Sequence, residues 1–176
     1  MIKNIPHVVV DVETNGSIIS KHSMINLGAV IVEPELNRTF YAEFKPISDF
    51  FDDEAISISG FTFEETKKFP YPEIGMQSFE NWLKENIEGR PIFWSDNNGY
   101  DFSWVNWYFL MYNGKNPFGH SSRRIGDLAS GLNLDLHFPW KRIRKKSGIK
   151  HDHNPLNDAK GNAFALLELL RKIKKK

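Results

Sequence analysis

The chain has 176 residues, enough for one domain with a sizeable core and too short for two comfortable ones. Hydrophobic content of 40% and charged content of 26% describe an ordinary soluble globular protein, and the lack of cysteine excludes a disulfide framework, a thiolate metal site and a cysteine nucleophile. The net charge of +1 hides an asymmetry, because residues 1–140 carry 11 Lys/Arg against 19 Asp/Glu while residues 141–176 carry 12 against 3.

The first segment, "MIKNIPHVVVDVE", has too short an apolar run for a signal peptide, and an acid interrupts it. No later stretch approaches the roughly 20 apolar residues of a membrane span. A cytoplasmic protein with no membrane partner is expected. "HVVVDVET" reads as a strand from its β-branched run, and "MINLGAVIVEP" as a second, mostly apolar and therefore central. "RTFYAEFKP" is a third, with "PELN" as the turn between the last two. "DDEAISIS" is a short helix, and Thr62 and Glu65 fit a capping box at the start of "FTFEETKKF". "PEIGMQSFENWLKENI" predicts a helix with Ile74, Phe79, Trp82, Leu83 and Ile87 near one face. "RPIFWS" is a fourth strand, "DFSWVNWYFLMY" a helix, and "RIGDLASGL" a strand end or short helix. The last element is the helix in "NPLNDAKGNAFALLELLRKIKKK". This order predicts an α/β fold with a mixed central β-sheet flanked by helices, beginning antiparallel and gaining parallel strands through helical crossovers.

Three places concentrate ionisable side chains. In "VVVDVETNG", Asp11 and Glu13 project from the same face of a strand, about 7 Å apart along it. Two carboxylates that close raise each other's pKa unless a cation lies between them, and burying them unpartnered is costly. The plain alternative is a solvated strand end. "FWSDNNGYDFSW" places Asp96 and Asp101 between a strand and a helix. Asp101 is favoured as the functional acid because it directly precedes the helix, although it also suits an N-cap. Eight of the 19 residues from 94 to 112 are aromatic, most of them core, with one or two left for base stacking.

The third place is "HDHNPLNDA", residues 151–159. Asn154-Pro155 is a favoured helix start, which puts Asp158 in the first turn and His153 just outside it. A carboxylate on a rigid element and an imidazole on a loop suit a metal ligand and a proton acceptor. His151 and Asp152 are expected to be loop residues. Upstream, "KRIRKKSGIK" holds six basic residues, a candidate footprint for a polyanion. Two-metal hydrolysis of a phosphodiester needs carboxylates that hold two divalent ions about 4 Å apart, and oxygen ligands favour Mg²⁺ or Mn²⁺ over Zn²⁺.

"DVETNG", "YDFSWVNWYF" and "HNPLNDA", in this order, resemble the three motifs of the DEDDh (DnaQ-like) 3′–5′ exonuclease family, within the RNase H-like superfamily. The connector "EAISISGFTFEETKKFPYPEIGMQSFENWLKE" is similar too, and the likeness spans roughly residues 7–170. The resemblance implies that Asp11, Glu13, Asp101 and Asp158 are metal-binding catalytic acids and that His153 is the general base. It implies Mg²⁺ or Mn²⁺, two ions per site. Thr14, Asn15 and Gly16 would meet the 3′-terminal nucleotide, Phe61 would wedge against the terminal bases, and Asp127 would be structural. The second motif departs from Asn-x-x-Phe-Asp, and "ThrAsnGly" stands where "ThrThrGly" is usual. Within the family the chain looks most like small stand-alone bacterial and phage exoribonucleases. The expected protein is thus a single exonuclease domain over 1–176 with a short basic tail, about 171–176. It would act on single-stranded 3′ ends and release 5′-mononucleotides, with RNA favoured over DNA, and a homodimer is allowed. The rivals are the same chemistry on DNA, a catalytically idle nucleic-acid-binding module, and an RNase H-like endonuclease.

Overall fold

Five strands are visible in a computed structural model that describes residues 5–174: β1 (His7–Thr14), β2 (Met24–Ile31), β3 (Thr39–Glu43), β4 (Ile92–Ser95) and β5 (Ser122–Arg124). They form one sheet in the order β3-β2-β1-β4-β5. β1–β2 and β2–β3 pair antiparallel, and β1–β4 and β4–β5 pair parallel. This is the expected RNase H-like mixed sheet. β2 is buried at every position, which is why its sequence does not alternate.

The helices are α1 (Asp53–Ile58), α2 (Phe63–Thr66), α3 (Pro72–Asn86), α4 (Asn98–Asn113), α5 (Ile125–Asn133), α6 (Lys141–Lys145) and α7 (Pro155–Lys174). On one face of the sheet, Val8, Val10 and Val12 pack with Met76 and Phe79 of α3 and with Trp104 and Tyr108 of α4. On the other, Val9, Val30 and Trp94 pack with Ile125 of α5 and with Ala163, Leu166 and Leu169 of α7. Strand alternation therefore sends Asp11 and Glu13, in step with Val9, to the α7 face. The acids stand where α7 begins.

Two sequence expectations need correction. Ile74 is 58% exposed, because the buried stripe of α3 runs through Pro72, Met76, Phe79 and Leu83 at helical spacing, and Ile74 lies outside it. α4 begins three residues before Asp101, with Asn97 at its N-cap position, so Asp101 is inside the helix and caps nothing. Residues 141–145 of the basic segment form α6. The capping box at Thr62 and Glu65 is present as expected. α7 continues through Lys174, and Lys175 and Lys176 of the expected tail lie outside the described residues. No helix among the described residues is long and apolar enough to cross a membrane.

Candidate active site

The N-terminus of α7 is set by two local features and one distant one. The Asn154 side-chain oxygen accepts hydrogen bonds from the backbone N–H groups of Leu156 and Asn157, and Pro155 opens the helix. The distant feature is Gly28 of β2, which pairs with Asp11 across the sheet. A Cβ at Gly28 would lie 2.3 Å from Leu156 N and from Pro155 C. Glycine there lets the helix rest on the strand backbone, and Asp158 comes down beside the β1 acids. One ligand atom from each of Asp11, Glu13 and Asp158 lies within 4.8 Å of the others.

These three share a cleft of about 370 Å³ with Asp96, Asp101, Tyr100, Lys141, Arg144, Lys145, His151 and His153. The cleft opens at the carboxyl ends of β1 and β4, the usual ligand end of a parallel pair. A larger recess of about 820 Å³ at the other end of these strands holds Glu88 as its one acid and no histidine.

The acids of the cleft raise one another's pKa. Burial, reinforced by Asp101, Glu13 and Asp158, pushes the Asp11 carboxyl well above its usual range. Burial and the charges of Asp158 and Asp101 push Glu13 up to about 8. Burial pushes Asp101 up to about 7, with the Ser95 hydroxyl opposing and Asp96 adding to it. Asp101 Oδ2 and Asp158 Oδ2 are buried and accept no hydrogen bond. Buried carboxylate oxygens that accept no hydrogen bond, beside further acids, fit hard divalent cations. Asp96 differs, because its Oδ2 lies 2.9 Å from Lys141 Nζ. Of the two second-motif candidates, Asp101 is the one with a buried oxygen that accepts no hydrogen bond.

The histidines stand at the rim. His153 Nδ1 lies 3.7 Å from Glu13 Oε1, and the ring is half-exposed. His151, expected to be a plain loop residue, instead lines the cleft, with Nδ1 2.6 Å from Asp158 Oδ2. Asp152 ties the loop to α7, accepting from Asn154 N and from the Asn157 side-chain amide.

Thr14 and Asn15 are buried, and their side chains are engaged within the protein. The Thr14 hydroxyl donates to Gly16 O and lies 2.5 Å from the Tyr100 hydroxyl. Asn15 accepts from Ser23 N and donates to Phe50 O, which pins the segment before α1. Phe61 packs edge-on against Phe69 and lines a neighbouring recess with Phe51 and Phe63. Ile58, 43% exposed, is the exposed apolar side chain of the acidic cleft, which Val12 also lines. Asp127 is exposed and pairs with Arg124, whose Nε donates to Asp96 O.

No family model matches the chain. It is 32% identical over 181 residues to the 3′–5′ DNA exonuclease Cap18 of Escherichia coli, across 96% of this chain and 94% of that one. Its fold is similar to the nuclease domain of 3′hExo, a DEDDh family member solved with rAMP, with a TM-score of 0.77 at 17% identity over 95% of this chain and 92% of that one. The chain belongs to the DEDDh family of 3′–5′ exonucleases. Escherichia coli Exonuclease I, solved with a dT13 oligonucleotide, is also similar, with a TM-score of 0.67 and 17% identity over 97% of this chain and 41% of that one.

Against that DEDDh frame, the residues that sequence reasoning missed are His151, Tyr100 and Arg144. Arg144 of α6 is 7% exposed, and its Nη2 donates to Asp158 Oδ1 at 2.8 Å. It fits because α7 has Gly161 beneath it, where a Cβ would lie 2.9 Å from Arg144 Nε. Two of the six basic residues read as a phosphate footprint are thus engaged by acids, Lys141 by Asp96 and Arg144 by Asp158, while Lys145 lines the cleft. His151 had the His-x-His pattern at 151–153 as a signal, whereas Tyr100 was one of eight aromatics and Arg144 one of six basic residues that sequence does not tell apart.

Proposed function

We propose that this exonuclease removes 5′-mononucleotides from single-stranded 3′ ends, with DNA as its main substrate. Asp11, Glu13, Asp101 and Asp158 hold two divalent ions, Mg²⁺ or Mn²⁺, and His153 accepts the proton of the attacking water. The observation that carries this is the meeting of Asp11, Glu13 and Asp158 within 4.8 Å, beside a buried Asp101 oxygen with no partner. Ions in that cleft would supply the positive charge that offsets the phosphate in the transition state. The four acids contribute by converging from three elements, β1, α4 and α7, so that the site is rigid before substrate arrives. His153 lies outside the acid cluster and is half-exposed, where a neutral imidazole can take a proton from water and pass it to solvent. Water attacks phosphorus, the bond to the 3′ oxygen of the penultimate nucleotide breaks, and a 5′-mononucleotide leaves. Ile58 is the apolar wall for the terminal base, and Lys145, with the exposed basic residues beside it, holds the backbone, with affinity falling as salt rises.

What supports DNA is the relative named a DNA exonuclease, 32% identical across nearly the whole of both chains. The likeness of the second motif to exoribonucleases favours RNA and makes it the second reading. One assay separates them. 5′-labelled single-stranded DNA and RNA of equal sequence, with 3′-blocked copies, are incubated with Mg²⁺ or Mn²⁺. A descending ladder on open ends and resistance of blocked ends are expected, faster on DNA. Faster RNA degradation would reverse the substrate assignment, and cleavage inside blocked strands would overturn the exonuclease reading. Asp11→Ala and Asp101→Asn should abolish activity and His153→Ala should reduce it by about 10²–10⁴-fold. Asp96→Asn should retain most of it, and the reverse result for the pair Asp96 and Asp101 would reassign the second acid.

A further inference from the structure

Two donor sets overlap at Asp158. One, with Asp11 and Glu13, is all oxygen. The other is His151, His153 and Asp158, which also offer one ligand atom each within 4.8 Å of one another. The two imidazoles lie 4.9 Å apart, centroid to centroid, inclined at 46°. His151 Nδ1 is 2.6 Å from Asp158 Oδ2, yet that oxygen, on a side chain 3% exposed, accepts no hydrogen bond. Nor does Asp158 need His151 as a counter-charge, because Arg144 already occupies Oδ1. The loop is held in place. Asp152 anchors it to α7, and His153 adopts a left-handed φ of 57°, a conformation that costs energy in a non-glycine residue.

We propose that His151, His153 and Asp158 form a second metal site, selective for borderline transition ions such as Zn²⁺ or Ni²⁺, and that its occupation inhibits the enzyme. Two imidazoles and a carboxylate are the donors Zn²⁺ and Ni²⁺ prefer, whereas Mg²⁺ prefers the all-oxygen set. Three protein ligands leave a further position for water. The inhibitory half rests on the proposed function, because an ion there takes His153 and Asp158 out of service together. The binding half stands independently of it. The consequence is a nuclease that runs on the abundant hard cation and stops when the transition ion rises.

The test uses the full chain stripped with EDTA. Zn²⁺ binding is followed by calorimetry without nucleic acid, and Co²⁺ binding by its visible absorption, both in excess Mg²⁺. The wild type should take up one equivalent. His151→Gln should weaken binding by roughly tenfold or more, in the range typical of disturbed metal sites. His151→Cys, which replaces the imidazole by a thiolate that Zn²⁺ also takes, should keep it. His151 is exposed, so these substitutions leave the core intact, and circular dichroism checks that. Zn²⁺ should also inhibit Mg²⁺-driven 3′ hydrolysis, at a concentration that rises by the same factor in His151→Gln when each variant is scaled to its own Mg²⁺ rate. Equal Zn²⁺ affinity in wild type and His151→Gln would overturn the site. Binding that depends on His151 with no inhibition would overturn its inhibitory role. A chain without nuclease activity would still report the site by calorimetry, so the failure of the proposed function is read separately.

Discussion

Arg144 Nη2 donates to Asp158 Oδ1 at 2.8 Å, and both side chains are buried. The pair links α6, which carries the basic run, to the first turn of α7, which carries the third motif. Removing one partner of a buried ion pair leaves the other charge uncompensated and costs about 3–5 kcal/mol. Arg144→Met keeps much of the packing and removes the charge. In EDTA its melting temperature should fall well below that of the wild type. Mg²⁺ should restore more stability to the variant than to the wild type, because a divalent ion replaces the lost cation beside Asp158. Thermal melts with and without Mg²⁺ decide it, and an equal metal-induced rise in both proteins would show that Arg144 does not share Asp158 with the ion.

The raised carboxyls make stability depend on pH in a definite direction. Glu13 is pushed from 4.5 to about 8 and Asp101 from 3.8 to about 7. The folded chain therefore binds more protons than the unfolded chain between about pH 4 and pH 8, and stability falls as pH rises through that window. Glu33 and Glu80, held low by Arg38 and Lys84, act in the opposite direction, below pH 4.5. The metal-free protein should melt at progressively lower temperature from pH 5 to pH 8. Mg²⁺ should recover more at pH 8 than at pH 6, because at pH 6 it must displace protons. A melting temperature in EDTA that stays flat across this range would mean that the acids are already neutralised by something else.

Gly28 makes a prediction about architecture. A Cβ there would meet the backbone of Pro155 and Leu156 at 2.3–2.4 Å, and backbone cannot swing aside. Overpacking of this kind costs about 1–3 kcal/mol, sometimes more. Gly28→Ala should therefore lower stability and lift the start of α7, carrying Asp158 away from Asp11. The expected result is a folded protein with a large loss of kcat and weakened Mg²⁺ affinity. Wild-type turnover in this variant would mean that the approach of α7 to β2 does not set the site.

What could be read from the sequence follows the range of the interactions. β1 matches its expected bounds, because a run of valines closed by "TNG" is a local signal, and Asn154-Pro155 marks the start of α7 for the same reason. The face of α3 was blurred by Ile74, since apolar spacing alone does not say which of two neighbouring stripes meets the sheet. The start of α4 was displaced because Asn97 caps by position, without a side-chain hydrogen bond. The engagement of Arg144 with Asp158, of Lys141 with Asp96 and of Gly28 with Pro155 depends on elements far apart in the chain. No pattern within any single segment encodes them. In the expected phosphate footprint, solvated lysines and a buried arginine look alike in sequence.

Tyr100 supplies the last prediction. Its hydroxyl lies 2.5 Å from Thr14 Oγ1 and 3.3 Å from Gly16 O, and of the eight aromatics in 94–112 it is the one that lines the acidic cleft. The Thr14 hydroxyl donates to Gly16 O, the Tyr100 hydroxyl also reaches Gly16 O, and either hydroxyl can donate across the short contact between them. In either arrangement a lone pair of the Tyr100 oxygen remains to accept from a sugar hydroxyl at the 3′ end. Phenylalanine at this position would keep the edge contact with Trp104 and lose one hydrogen bond, worth about 0.5–1.5 kcal/mol. Tyr100→Phe should stay folded, with KM raised by about two- to tenfold on 3′-hydroxyl ends at nearly constant kcat. On 3′-deoxy ends wild type and variant should be alike, because the accepted hydroxyl is missing from the substrate. Equal losses on both kinds of end would show that Tyr100 supports only the turn after β1 and does not read the terminal sugar.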